Sequence, residues 1–253
     1  MSDRWAVHHG DCLGVLQTLQ AESVDAVITD PPYSSGGAFR GDRAMTTDVK
    51  YMQTGSSRTE MQQFSGDNRD QRSFHYWCAL WLSECRRIAK QGAPIVVFTD
   101  WRQLPTTTDA VQAGGWVWRG IGVWAKKSAR PQMGRFASSC EYFVWGSNGP
   151  MPQNEDVGCL PGVFTIQASQ LDKQQHATAK PLELMREVVK VVPSGGVILD
   201  PFCGSGSTGA AALLQGYRFI GIEQDAHYHA KSRERLENIV RQGCQRELFA
   251  GVG

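Results

Sequence analysis

Residues 197–209, Val197-Ile198-Leu199-Asp200-Pro201-Phe202-Cys203-Gly204-Ser205-Gly206-Ser207-Thr208-Gly209, read as strand, tight turn and helix start. The apolar run up to Leu199 suits a strand covered on both faces. The spacing Gly204-x-Gly206-x-x-Gly209 lets backbone approach a ligand closely, with a helix N-terminus behind it. Ser207–Leu214 is alanine-rich and Gly216 follows as a stop. Working outward, further β-rich runs occur at Asp25–Thr29, Pro94–Thr99, Glu141–Trp145, Gly196–Leu199 and Arg218–Ile222. Helical stretches lie between them. Phe74–Lys90 carries Trp77, Leu80, Trp81, Cys85 and Ile88 at helical spacing, and Pro181–Val192 opens with proline at the first helical position. This alternation predicts an α/β fold.

The chain has 253 residues, 41% hydrophobic and 20% charged, which excludes a disordered chain and allows a large core. A single domain over 1–253 is expected, interrupted by two polar stretches. From Ser34 to Ser73 only nine residues are hydrophobic (Ala38, Phe39, Ala44, Met45, Val49, Tyr51, Met52, Met61, Phe64), too few for core. A shorter polar insert, of recognition type, is expected near 147–173. No apolar run reaches the ~18 residues of a membrane span, and the start Met-Ser-Asp-Arg-Trp lacks a signal-peptide stretch, so a cytoplasmic location and no membrane partner are expected. Net charge is +1, so a polyanion must be met by a local patch. Seven cysteines include no Cys-x-x-Cys pair, and His8-His9 has no cysteine at zinc-ligand spacing, so neither a disulfide framework nor a metal is expected.

The glycine turn alone is ambiguous. Glu223, nineteen residues after Gly204, is placed to accept from ribose hydroxyls, as in a dinucleotide-binding unit. Asp200 changes the balance, because a carboxylate at the strand end repels a pyrophosphate but suits a ligand bearing an ammonium group. S-adenosylmethionine, with an amino group, a sulfonium, an adenosine and no phosphate, matches these residues better than a nicotinamide dinucleotide.

Asp30-Pro31-Pro32-Tyr33 directly follows the run Asp25–Thr29. Two prolines fix φ at successive residues and remove two donors, leaving carbonyls outward as acceptors. Such a group suits recognition of an –NH₂. An amine on a nucleobase is a poor nucleophile because its lone pair is delocalised. Acceptance of both hydrogens, by the Asp30 carboxylate and the Pro31 carbonyl, frees that pair and stabilises the charge that develops on nitrogen. Tyr33 offers a stacking face to a flipped base. A rigid surface turn is the bland alternative.

Together the two motifs resemble the amino-methyltransferases of DNA, which carry methyl from S-adenosylmethionine to the exocyclic amine of adenine or cytosine. With Asp30-Pro31-Pro32-Tyr33 first and the Asp-Pro-Phe-x-Gly-x-Gly-x-Thr block at residue 200, the motif order is similar to the circularly permuted β arrangement. The resemblance implies a Rossmann-like, mostly parallel seven-stranded sheet with one antiparallel strand. It implies catalysis by Asp30, Pro31, Pro32 and Tyr33, and cofactor contacts from Asp200, Phe202, Gly204, Gly206, Thr208 and Glu223. Gly10-Asp11-Cys12 is similar to the family's opening block, which gives Asp11 and Cys12 cofactor roles. His176-Ala177-Thr178-Ala179-Lys180-Pro181 resembles the block written His-Pro-Thr-Gln-Lys-Pro; its first proline and its glutamine are absent here, while Lys180 and Pro181 match and Lys180 takes a cofactor role. Trp124-Ala125-Lys126 and Glu141-Tyr142 resemble mid-chain blocks. The family also implies homodimerisation.

Double-stranded DNA is the expected partner. Residues 110–140 contain no acidic side chain but include Arg119, Lys126, Lys127, Arg130 and Arg135 among Trp116, Trp118, Trp124 and Phe136, a pattern suited to phosphate contact and stacking. Trp124, Lys126, Lys127, Arg130 and Arg135 are therefore candidate DNA contacts, with Arg40 and Arg43 from the first polar stretch. Asp at the head of the catalytic turn favours the 6-amino group of adenine; the cytosine-amine enzymes more often place Ser there. A nicotinamide-dependent dehydrogenase or a non-catalytic DNA-binding module would each explain one motif and leave the other idle.

Overall fold

The computed structural model describes residues 4–33, 69–126, 133–153, 156–167 and 180–250. Among the described residues eight strands form one sheet: β1 (Trp5–His9), β2 (Ala26–Thr29), β3 (Pro94–Thr99), β4 (Val117–Ala125), β5 (Cys140–Ser147), β6 (Val163–Thr165), β7 (Val197–Asp200) and β8 (Arg218–Glu223). Their spatial order is β1-β8-β7-β2-β3-β5-β4-β6. Every neighbouring pair is parallel except the two made by β5, so among the described strands β5 alone runs antiparallel. The expected Rossmann-like α/β architecture holds. The count is eight rather than seven, because three residues of the stretch expected as a recognition insert, Val163–Thr165, pair with Val123–Ala125 at the sheet edge.

The helices are α1 (Cys12–Leu16), α2 (Gln71–Ile88), α3 (Leu104–Ala113), α4 (Leu182–Val188), α5 (Ser207–Leu214) and α6 (Ala226–Ala250). Alternate residues of the central strands face opposite cores. On β3, Ile95 and Val97 join Phe74, Trp81, Leu82 and Ile88 of α2, while Val96 and Phe98 join the side bearing Leu184 of α4, Ala210 of α5 and Leu236 of α6. That two-sided cover is why the strands read as unbroken apolar runs.

α2 begins at Gln71, three residues before the expected Phe74, because the Asp70 carboxylate accepts from the backbone N–H groups of Arg72 and Ser73 (3.0 Å each). Its inward face is Phe74, Cys78, Trp81, Leu82, Cys85 and Ile88; Leu80, expected inward, is exposed. Most of the polar stretch 34–73, with Arg40 and Arg43, lies outside the described residues, as do Lys127, Arg130 and His176. Among the described residues no helix is long and apolar enough to cross a membrane.

Strand order determines what meets at the rim. The parallel strands β1, β8, β7, β2 and β3 all end on one side, and β5, running the other way, begins there. Read along the rim, the side chains are Asp11, Glu223, Asp200, Asp30, Thr99, Glu141 and Lys126. Ligands of open α/β sheets bind at such strand ends.

Candidate active site

β2 and β7 are neighbours, with Ala26 opposite Ile198 and Val27 opposite Leu199. The turns that follow them therefore leave the sheet side by side, although 170 residues separate them in the chain. A buried hydrogen bond joins the two: the Thr29 hydroxyl donates to Asp200 Oδ1 at 2.7 Å.

The Asp30 turn is tied down by charge. The Tyr33 hydroxyl donates to Asp30 Oδ1. The Lys180 ammonium sits 2.5 Å from Asp30 Oδ2, donates to the Tyr33 hydroxyl oxygen at 2.9 Å and lies 3.3 Å from Glu141 Oε2. Glu141 Oε1 pairs in turn with Lys126. Lys180 Nζ also lies 5.2 Å from the Phe98 ring centroid and 5.4 Å from that of Tyr33. Burial alone would lower the Lys180 pKa, but the carboxylates of Asp30 and Glu141 outweigh it and raise the value. Burial likewise works to raise Glu141, yet Lys180 and Lys126 bring its carboxyl below the ordinary range. Burial pushes the Tyr33 phenol well up, and the charges of Asp30 and Glu141 push it further, so it remains a neutral donor.

The Asp200 turn is held differently. Besides Thr29, Asp200 Oδ1 accepts from the Phe202 backbone N–H (3.1 Å), and Thr208 bonds to the same carboxylate. Burial dominates over these neutral donors and pushes the Asp200 carboxyl up to about 6. Glu223 accepts from the backbone N–H groups of Gly204 and Asp225, both at 2.8 Å, and burial raises it as well. Gly204 and Gly206 have φ of +50° and +79°, which glycine adopts without strain, and a side chain at Gly204 would point into open space. Phe202 is held by Trp77 and Trp81, with centroids at 5.3 and 5.2 Å. Asp11 caps α1 through the N–H groups of Leu13 and Gly14 (3.0 and 3.3 Å). Cys12 is buried, which pushes its thiol up to about 12 and leaves it an apolar wall.

The structure thus brings Asp30, Tyr33, Lys180, Asp200, Phe202, Gly204, Gly206, Thr208, Glu223, Asp11 and Cys12 to one end of the sheet. Lys180, expected against the cofactor, stands beside the Asp30 carboxylate at this end of the sheet. One expectation is corrected. Trp124, expected at the DNA surface, is 5% exposed in the core, and its indole N–H donates to the Ile166 carbonyl at 2.8 Å, supporting β6. Lys126, expected on phosphate, is engaged by Glu141 and lies over the Trp124 ring at 4.6 Å. Trp116 is also buried, bonding the Leu82 carbonyl at 2.9 Å. Arg135 is exposed. Glu141, which in the sequence is only part of a block resembling the family's, faces both Lys126 and Lys180; the acid-free basic stretch that precedes it is the signal for such a pairing.

Residues 24–234 match the family model described as DNA methylase, the N6/N4 methyltransferases. The Type II methyltransferase M.HinfI of Haemophilus influenzae is 29% identical over 259 residues, covering 91% of this chain and 67% of its own. Among solved structures, the M1.HpyAVI–SAM complex has a TM-score of 0.66 at 22% identity, covering 92% of this chain and 98% of its own. The cytosine-N4-specific PvuII DNA methyltransferase has a TM-score of 0.69 at 16% identity, covering 95% and 92%. With the family match spanning most of the chain, and both motif turns standing side by side at the rim, the protein belongs to the N6/N4 family of DNA methylases.

Proposed function

We propose that this chain is a site-specific DNA methyltransferase that carries methyl from S-adenosylmethionine to the 6-amino group of an adenine turned out of the duplex. One observation carries the reading: the Asp30 and Asp200 turns leave adjacent parallel strands and are bonded through Thr29. An acceptor nitrogen at the first turn therefore lies next to a donor carbon at the second.

The residues of the Asp200 turn fit the cofactor. Asp200, Glu223 and Asp11 provide carboxylates, residues 200–209 contain no Lys or Arg, and Gly204 opens to free space. That donor set favours a ligand with an ammonium group and hydroxyls over one with phosphates. S-adenosylmethionine held there supplies a methyl carbon already activated by a cationic sulfur.

The chain's own residues do the rest. Asp30 Oδ and the Pro31 carbonyl accept the amine hydrogens, which localises the nitrogen lone pair, and the carboxylate stabilises the positive charge that builds on nitrogen. Lys180 and the Tyr33 hydroxyl fix the carboxylate while leaving it lone pairs for the amine. Tyr33 presents a ring on which the extruded base stacks, worth roughly 1–3 kcal/mol against the few kcal/mol of unstacking. Arg135 and the basic residues around it meet the phosphates.

Adenine is preferred because Asp rather than Ser heads the turn. Mass spectrometry of nucleosides from DNA treated with the purified protein tests this: 6-methyladenine is the expected product. 4-Methylcytosine alone would overturn the choice of base, and the absence of any methylated nucleoside would overturn the reading.

A further inference from the structure

Four charged groups form a chain along the rim: Asp30, Lys180, Glu141 and Lys126. The two ammonium groups balance the two carboxylates. Asp100, the next acid along the rim, has its own cation, Arg102, at 3.9 Å. Lys180 is only 6% exposed and lies between Asp30 and Glu141. Glu141 Oε2 is buried and makes no hydrogen bond of ordinary geometry among the described residues, so the Lys180 ammonium at 3.3 Å is what it faces. β5 carries Glu141 at its start and β4 ends beside Lys126, with Trp124 opposite Glu141 in register. The antiparallel strand thus delivers a second carboxylate to the far side of Lys180.

We infer that Glu141 is a positioning residue for methyl transfer. It shares the charge of Lys180, so that Asp30 remains an effective anion toward the amine nitrogen, and Lys126 enters only through the charge it adds. This rests on the proposed role of Asp30. During transfer positive charge accumulates on nitrogen, so the net charge of the four groups matters directly. Without the Glu141 carboxylate, two ammonium groups would face a single carboxylate, and the site would carry a surplus positive charge where nitrogen must become cationic. A further removal of Lys126 restores balance, leaving Lys180 against Asp30.

The test is single-turnover methyl transfer with saturating cofactor and DNA, compared across wild type, Glu141→Gln, Lys126→Met and the double variant. Glu141→Gln is expected to slow transfer roughly 10- to 100-fold while cofactor and DNA dissociation constants stay within about twofold. Lys126→Met alone should change the rate by less than about threefold. The double variant should recover much of the loss, because the surplus cation has gone; this non-additivity is the signature a purely structural role would not give. Wild-type rates in Glu141→Gln, or losses that simply add in the double variant, would overturn the inference. Should Glu141→Gln fail to fold, the charge-balanced double variant carries the test, and a loss beyond about 100-fold in it with intact cofactor binding would refute the proposal. A wild-type protein that methylates no DNA would instead sink the underlying reading.

Discussion

At the Asp30 turn each carboxylate faces an ammonium group: Lys180 lies on Asp30, and Lys180 and Lys126 lie on Glu141. On the neighbouring strands, Asp200 is buried and Glu223 half-buried, and they are held by threonine hydroxyls and backbone N–H groups. The consequence appears in their protonation. Glu141 is brought below the ordinary carboxyl range, whereas Asp200 is pushed up to about 6 and Glu223 is raised. A cluster already neutralised from within suits a neutral amine that becomes charged only during reaction. Carboxylates without a resident cation suit a ligand that brings its own positive charge. On the proposed function, the difference assigns binding to the Asp200 turn and transformation to the Asp30 turn.

The sharpest way to break this contrast is to remove Asp30. Asp30→Ala should lower methyl transfer by about a thousandfold or more while cofactor affinity, set at the other turn, stays within a few-fold; isothermal titration and incorporation of labelled methyl on one preparation check both. Tyr33 is next. Tyr33→Ala removes both the stacking face and the hydroxyl that links Asp30 to Lys180, and should cost roughly 100-fold. Tyr33→Phe keeps the face and should cost nearer tenfold in the same assay. Equal losses would remove the stacking role.

The Asp200 side gives smaller effects with a defined sign. Its carboxyl is raised in the folded protein, so between about pH 4 and 6 the native state holds a proton that the unfolded chain has released. Stability attributable to this group therefore falls as pH rises through that window and stays low above about 6. Asp200→Asn should raise the stability of the ligand-free protein at pH 7 by roughly 1–3 kcal/mol, read by urea unfolding at pH 5 and 7, with the gain shrinking at the lower pH. Cofactor affinity of the wild type should weaken as pH drops below about 6, approaching tenfold per unit. A pH-independent affinity would leave Asp200 without its cation-binding role.

Much of this was legible in the sequence, because it depends on local pattern. Apolar runs of β2, β3 and β7 are buried on both faces and read plainly as strands, and each ends on a carboxylate or a proline–glycine turn that stops it. β4 gives only a weak strand signal in the sequence. It contains Gly120 and Gly122, which normally weaken strands; here the Phe143 ring lies where a side chain at Gly122 would stand, with ring carbons 1.9–2.4 Å from that position. α3 begins without a side-chain cap and carries three consecutive threonines, and α6 is largely polar, so neither gave a strong periodic signal. In the site, each turn is legible as a local motif, whereas their adjacency comes from the strand order that sets β2 beside β7. The Lys180–Asp30 contact did not, because 150 residues separate the partners and spacing carries no information about which charge meets which. Trp124 was misplaced for a related reason: a tryptophan among basic residues reads as surface, while its strand turns the ring inward.

The central claim is that binding and transformation are divided between two adjacent turns, and raising the cofactor concentration tests it most directly. Methyl transfer to DNA should be measured for Asp200→Asn and Asp30→Asn from sub-saturating to saturating S-adenosylmethionine. The account predicts that excess cofactor restores most of the rate in Asp200→Asn and none in Asp30→Asn. Recovery of Asp30→Asn, or an equal and irreversible loss in both folded variants, would contradict it.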